Sequence, residues 1–413
     1  MSKIWTPGAG APGFDPRALR RGVDEYLRRS EQELIGIRRD LHAHPELAFQ
    51  EFRTTQVIVD FLTAIGLRPR VLPDGTGVIC DIHGGDGPMI ALRADIDALP
   101  QLDTKRVSYR STVKGRAHNC GHDVHTTVVL GVGGLLALLA EAGWLRGTVR
   151  LIFQPAEEFP GGARKVIGAE GLDGVRRIFA LHCDPAEEVG HLGLRTGAIT
   201  ASYDKILIKA TGPGGHTARP HLTSSPIRAL AAMVSELPAA LSQRFDARSG
   251  HRLEWGRFES GLTANAIPPG GELEGTLRCL DPRDRRSALD ELPGLVGLLA
   301  ALHKVEAELN TAIGLPPTVN EATSVEIFRH AGGLALGEHM VGSTGQSMGG
   351  EDYSLYLEQV DGALARFGVR TPGTPKYDLH QSGFDVDERC IPLGVDLMVH
   401  TALTALDHAR SEA

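Results

Sequence analysis

Three short apolar runs constrain the fold of this chain most: Met89–Leu92, Val149–Phe153 and Ile178–Leu181. Each is continuous rather than alternating, the pattern of a strand buried on both faces, and helical patterns separate them. A further short strand is read over Gly77–Ile82. Strands alternating with helices predict an α/β domain with a mainly parallel sheet. In such sheets ligands bind beyond the carboxyl ends of the strands. That edge is rich in chemistry here. The first run leads into Asp95 and Asp97, the second into Glu157 and Glu158, and the third ends at His182. One acid at a strand end means little, but three strand ends with metal-capable side chains predict a metal site.

The stretch from Gly115 to Thr127 points to the same edge. It packs His118, Asn119, Cys120, Gly121, His122, Asp123 and His125 into eight positions. Thiolate and neutral imidazole are the usual transition-metal donors, and Cys-x-His puts two of them within reach of one ion. The uncharged segment that follows, Thr126–Ala140, is too short to span a bilayer and reads as a buried helix.

Upstream, Ser30 to Glu33 has the form of a capping box, with Leu34, Ile37 and Leu41 at helical spacing before Pro45 stops the helix. His42 and His44 at its end are open to either reading, metal ligand or helix-end partner. A second helix carries Val57, Ile58, Phe61, Leu62 and Ile65 on one face and stops at Gly66.

At 413 residues the chain is too long for one ordinary core, so two domains are expected. A net charge of −8 argues against nucleic acid or an anionic membrane as the main partner. The five cysteines are scattered and odd in number, which fits a reducing compartment better than a disulfide framework. Residues 1–16 lack the apolar core of a signal peptide and read as a flexible arm, so a cytoplasmic location is expected.

From about Ser202 the texture changes. Strands are expected over Lys205–Ala210, His251–Phe258, Glu272–Cys279 and Val305–Thr311. Helices are expected over Pro226–Leu241 and Asp284–His303, the latter broken or bent near Pro293. The order βαββαβ is the ferredoxin-like unit. It is read as an insert over 202–313 between two halves of the first domain, 17–201 and 314–413. Gly212 to His216 lacks the Gly-Lys-Ser/Thr ending of a phosphate loop, and His216 in a glycine turn is exposed and placed to touch a substrate. Asn265, before Ala266-Ile267-Pro268-Pro269, is presented by a rigid turn.

In order along the chain stand RRDLHAHPEL, LRADIDALP, HNCGHDVHT, QPAEE, LHCDP, GGHTARPH, ANAIPP, GGEDYS and LHQSGFD. Together they resemble the M20 metallopeptidase family, specifically its aminoacylase/hippurate-hydrolase branch, which includes plant auxin-conjugate hydrolases. The resemblance implies a zinc-peptidase-like catalytic domain with two divalent metals, zinc or manganese, and a ferredoxin-like lid domain that pairs two subunits. By position it implies Cys120, His122, Glu158, His182 and His380 as ligands, Glu157 as catalytic base and Asp97 behind the ligands. It also implies His216 at the substrate carbonyl, from a partner subunit in related enzymes, and Asn265 and Arg278 at the substrate's carboxylate or backbone. Two positions depart from the branch: Ser225 where an acid often precedes the proline, and Asn119 where a small residue is common.

The implied activity is hydrolysis of the amide bond of N-acyl-L-amino acids, with a non-ligand carboxylate moving the proton. The near rivals are a dipeptidase and an N-acetyl-diaminopimelate deacetylase. A non-catalytic scaffold with a structural zinc would need neither the spare glutamate nor more than four ligands.

Overall fold

The computed structural model describes residues 16–412 apart from 160 and 247, so the arm read over residues 1–16 lies almost wholly outside the described residues. The chain forms two compact units. The first comprises residues up to Gly197, Asn320–Gly345 and the chain from Leu355 onward; the second comprises Ala198–Val319 and Gln346–Ser354.

The first unit is built on an eight-stranded sheet in the order 70–71, 78–83, 148–154, 89–95, 175–188, 361–370, 192–194, 341–343. Met89–Asp95 runs parallel to both of its neighbours, Thr148–Gln154 and Val175–Glu188, and Asp361–Arg370 runs parallel to the latter. Antiparallel pairings of 78–83 with 148–154 and of 192–194 with 361–370 complete a mixed sheet with a parallel centre. Every residue of Thr148–Gln154 is buried, as the unbroken apolar run requires.

Helix His122–Glu141 packs on the sheet beside helices Pro16–Ala43 and Cys390–Ser411. At 20 residues it is longer than the sequence indicates and apolar enough to cross a membrane, but it is 83% buried inside the protein and serves as a core helix.

Three expectations are corrected. Helix Pro16–Ala43 does not start at the Ser30 capping box: it is 28 residues long, and the Ser30 hydroxyl donates to the Tyr26 carbonyl one turn back, at 2.9 Å. The third strand does not end at His182 but runs over 14 residues, Val175–Glu188, because Asp361–Arg370 pairs with it on past Cys183. Helix Pro282–His303 is not broken at Pro293, and it is started by the Asp281 side chain, which accepts from the Arg283 N–H.

The second unit has the order βαββαβ. Its antiparallel sheet runs 251–260, 270–279, 203–211, 306–315, and helices Pro226–Ser242 and Pro282–His303 close a core with Ile206, Ile208, Leu230, Met233, Leu273, Leu277 and Leu292. The polar positions of these strands form cross-strand ion pairs such as Lys205–Glu274 and Lys209–Glu272. Gln346–Ser354, expected with the outer domain, groups with this unit: the Ala201 N–H donates to the carbonyls of Ser347 and Gly349, and Arg278 donates to that of Met348.

Candidate metal centre

Gly121 turns the chain into helix His122–Glu141 with φ +90°, and a Cβ there would stand 2.8 Å from Cys183 Sγ. Handedness and space both require glycine. The turn sets Cys120 and His122 at the buried start of the helix, beside the strands that carry Asp95, Glu157, Glu158 and His182.

Three groupings of ligand atoms, each within 4.8 Å, overlap in the first unit: Cys120 with His122 and His182, Cys120 with Glu158 and His380, and His122 with Glu157 and Glu158. Cys120 Sγ lies 3.6 Å from His182 Nε2. His122 Nε2 lies 3.9 Å from Glu158 Oε1 and 4.0 Å from Glu157 Oε2. The structure therefore gathers Cys120, His122, Glu157, Glu158, His182 and His380 at one place, although up to 260 positions separate them in sequence (380 − 120).

Hydrogen bonds around the cluster fix its imidazoles as donors of lone pairs. His182 Nδ1 lies 2.9 Å from the Cys183 carbonyl, which only accepts, so Nδ1 carries the proton and Nε2 the lone pair. His122 Nδ1 faces Asp97 Oδ1 at 3.2 Å with the same consequence. His125 is different. Its Nε2 accepts from the Cys183 N–H at 2.9 Å and its Nδ1 donates to Asp95 at 2.6 Å, so both nitrogens are spent on structure. His42, bonded to Asp123 and Asp103, is likewise structural, and His44 caps the Asp40 carbonyl.

Two atoms of the cluster are left over. His122 Nε2 and Glu158 Oε1 are buried without a hydrogen-bond partner, and His380 Nε2 approaches Glu158 Oε1 to 3.1 Å without the alignment of a hydrogen bond. Buried lone pairs converging in this way need a cation between them. The electrostatics show the same demand for positive charge, met by a proton on His122 where no metal is bound. Burial disfavours a charged His122, yet Asp95, Asp97 and Glu158 outweigh it and push the imidazole up to about 10. Burial, with Glu158, Glu157 and Asp95, pushes the Cys120 thiol well above its usual value, while burial and Arg366 hold His182 neutral. The donor set of thiolate, imidazole and carboxylate fits divalent transition metals.

Asp97 lies behind these donors and touches three of the site's residues at once. Its Oδ1 meets His122 and accepts the Glu157 N–H at 3.1 Å, and its Oδ2 accepts the Glu158 N–H at 3.0 Å. One carboxylate thus orients an imidazole and both glutamates.

The other expected residues lie in the second unit. His216 and Ala266 pair in a two-stranded ribbon, and the Asn265 carbonyl accepts the Thr217 N–H, so His216 and Asn265 share one exposed turn. Arg278 stacks over Tyr203 at 4.9 Å from the ring centroid and donates to the Met348 carbonyl.

The profile of peptidase family M20/M25/M40 matches residues 91–404. The chain belongs to peptidase family M20. A Bacillus subtilis N-acetylcysteine deacetylase is 37% identical over 91% of this chain and 97% of its own length. A putative glutamate–cysteine ligase of Rhodococcus jostii is 46% identical over 91% of this chain, but the match spans only 47%, about half, of that protein. Among solved structures, a dinuclear metal-binding M20 peptidase of Bacillus subtilis superposes with a TM-score of 0.81 at 34% identity, covering 92% of this chain and 99% of that one.

Within this M20 chain Asp95, read from sequence as a metal-capable strand-end residue, instead props His125, which in turn accepts the Cys183 N–H. Arg38, the first residue of the RRDLHAHPEL stretch, and Glu51 take no role from sequence, because their partners lie far along the chain.

Proposed function

We propose that this chain is an amidohydrolase that cleaves the amide bond of N-acyl-L-amino acids, with two divalent ions, zinc or manganese, held by Cys120, His122, Glu158, His182 and His380. The observation that carries this reading is the division of labour at one turn. Asp97 pins the amides of both glutamates and both share the grouping with His122, yet only Glu158 also falls in the grouping with Cys120 and His380. A structural zinc would have no use for the second carboxylate.

When bound, the metals would supply Lewis-acid polarisation of the carbonyl and a water of lowered pKa. The chain's own residues do the rest. Glu157 takes the proton from the attacking water and returns it to the leaving amine. Asp97 keeps Glu157 and Glu158 apart in orientation so that one moves protons while the other binds. His216 donates to the oxyanion, and Asn265 and Arg278 hold the product amino acid's carboxylate or backbone. The second unit acts as a lid and pairs two chains as a homodimer. Exposed Leu298 and Leu302 on helix Pro282–His303 support a covered face there.

A hydrolysis screen over N-acyl amino acids and dipeptides, with added zinc or manganese, tests this. N-acetylcysteine heads the panel because cysteine figures in the names of both relatives. Release of free amino acid from acyl derivatives is expected; cleavage of dipeptides alone would favour a dipeptidase, and selective release from N-acetyl-diaminopimelate would favour that deacetylase. Metal analysis should give two ions per chain.

Two further outcomes follow. Cys120→Ser should lose metal and activity together, because a neutral hydroxyl is a far poorer donor than thiolate; full occupancy by elemental analysis would remove Cys120 from the ligand set. His216→Ala should keep its metal while turnover drops by about 10²–10³-fold, the usual loss for an oxyanion donor. Mixing it with an inactive Cys120→Ser chain should restore activity if His216 acts across a dimer, and proven subunit exchange without recovery would place the contact within one chain.

A further inference from the structure

Helix Phe52–Ala64 begins at Glu51, yet the Glu51 side chain makes no capping bond to it. Glu46 does that work: its two oxygens accept the N–H groups of Arg53 and Thr54 at 3.1 and 2.8 Å. Glu51 instead points inward, fully buried, and its Oε1 accepts the N–H of Ala156 at 2.8 Å from 105 residues away.

Ala156 is the residue just before the glutamate pair, and it stands at φ +51°, a left-handed conformation unfavourable for an L-residue with a Cβ. The turn around it is closed on every side. Its carbonyl accepts the Gly162 N–H at 3.3 Å, and a Cβ on Gly162 would fall 1.6 Å from the Pro155 oxygen. Gly77, whose N–H donates to Thr55 Oγ1 at 2.9 Å, lies so near that a Cβ there would meet Pro155 at 2.6 Å. The same upstream segment reaches the other side of the site, where the Ala98 N–H donates to the Glu46 carbonyl at 2.8 Å, one residue after Asp97.

We propose that Glu51 is a positioning residue for the Glu157–Glu158 pair: by holding the Ala156 N–H it keeps the left-handed turn that aims one glutamate at the metal ligands and the other at the substrate. This rests on the roles given above to Glu157 and Glu158. Glu51 acts as a hydrogen-bond acceptor toward Ala156. Its Oε2 is buried without a partner, and burial pushes the carboxyl up to about 7, with Asp97 adding to the effect. A second carboxylate nearby disfavours the charged form, so the Ala156 bond does not depend on a full negative charge.

The test compares Glu51→Gln, Glu51→Asp and Glu51→Leu by steady-state kinetics on an N-acyl amino acid and by cobalt(II) titration followed by visible absorbance. Glutamine keeps the acceptor and the reach, so kcat and the cobalt spectrum should stay near those of the natural chain. Aspartate keeps the carboxyl group but falls a methylene short, and leucine has no acceptor. Both should lower kcat by about 10–100-fold with KM little changed and weaken cobalt uptake, the usual effect of losing a group that orients a ligand. Adding Ala156→Gly to Glu51→Leu should recover part of the loss, since glycine adopts the left-handed turn unaided.

Equal behaviour of the Gln and Asp variants, or a Leu variant with unchanged kcat and cobalt spectrum, would overturn the proposal. Failure of both Asp and Leu variants to fold, judged by circular dichroism, would assign Glu51 to the fold alone and also overturn it. A natural chain that hydrolyses no amide would instead count against the proposed function, and the cobalt titration would still read what Glu51 does to the turn.

Discussion

Glu157→Gln should leave the metals in place and cut turnover by about 10²–10⁴-fold, the loss expected when a general base disappears. Glutamine keeps the size and polarity of the side chain, and the Glu157 N–H bond to Asp97 Oδ1 at 3.1 Å is a backbone bond that the substitution does not touch. The turn therefore stays intact while the side chain loses its power to accept a proton. KM should change little, because the base acts mainly in the transition state. Glu158→Gln is the control. Glu158 Oε1 is a buried atom without a hydrogen-bond partner, so its loss should weaken metal binding, and added metal should recover part of the activity. Metal content and kcat measured on both variants decide the matter: metal loss in Glu157→Gln with retention in Glu158→Gln would show the roles to be exchanged.

Much of this site is visible in the sequence because its residues sit where strands end. A continuous apolar run followed at once by Asp95 and Asp97, or by Glu157 and Glu158, marks both the strand and the edge at which it stops. Cys120 and His122 are legible for a different reason: two soft donors with one residue between them have few other uses. The βαββαβ insert is legible from the change of period and from Pro226 at a helix start.

What is hidden depends on partners distant in sequence. His182 looks like a strand end because its apolar run stops there, but Asp361–Arg370 supplies backbone partners that carry the strand on to Glu188. Local pattern cannot show a partner some 180 residues away (361 − 177 = 184, 370 − 188 = 182). Ser30 looks like a cap because Ser-x-x-Glu is a capping pattern, but the helix already runs through it, and a serine inside a helix bonds back to the preceding turn. Glu51 is the extreme case. A glutamate at a helix start reads as a cap, and only the fold reveals that Glu46 caps the helix and leaves Glu51 for Ala156.

Arg38 opens the RRDLHAHPEL stretch, but its partners are hidden in the same way, and its removal should have the largest effect on stability. Its side chain is fully buried, with Nε 2.8 Å from Asp123 Oδ2 and further contacts to Asp385 at 3.2 Å and Glu388 at 3.3 Å. Asp123 is itself buried next to His122; burial opposes its charge, but Arg38 and His42 hold its carboxyl far below the ordinary range. Arg38→Met fills most of the space but leaves Asp123 with the imidazole of His42 as its remaining close partner. Removing one member of a buried ion pair costs about 3–5 kcal/mol, because the other charge stays buried without it. Arg38→Lys should cost less than this but still be unfavourable, since an ammonium cannot reproduce the guanidinium fork. Adding Asp123→Asn to Arg38→Met should recover a substantial part of the loss, as the stranded charge is gone. Hydrogen exchange read by mass spectrometry is the measurement to use, because it separates the two units. Protection should fall in helices Pro16–Ala43 and His122–Glu141, which this pair joins, and stay unchanged in strand Tyr203–Thr211 of the second unit. A double variant no more stable than Arg38→Met alone would mean that packing around the lost side chain, not the unpaired carboxylate, sets the cost.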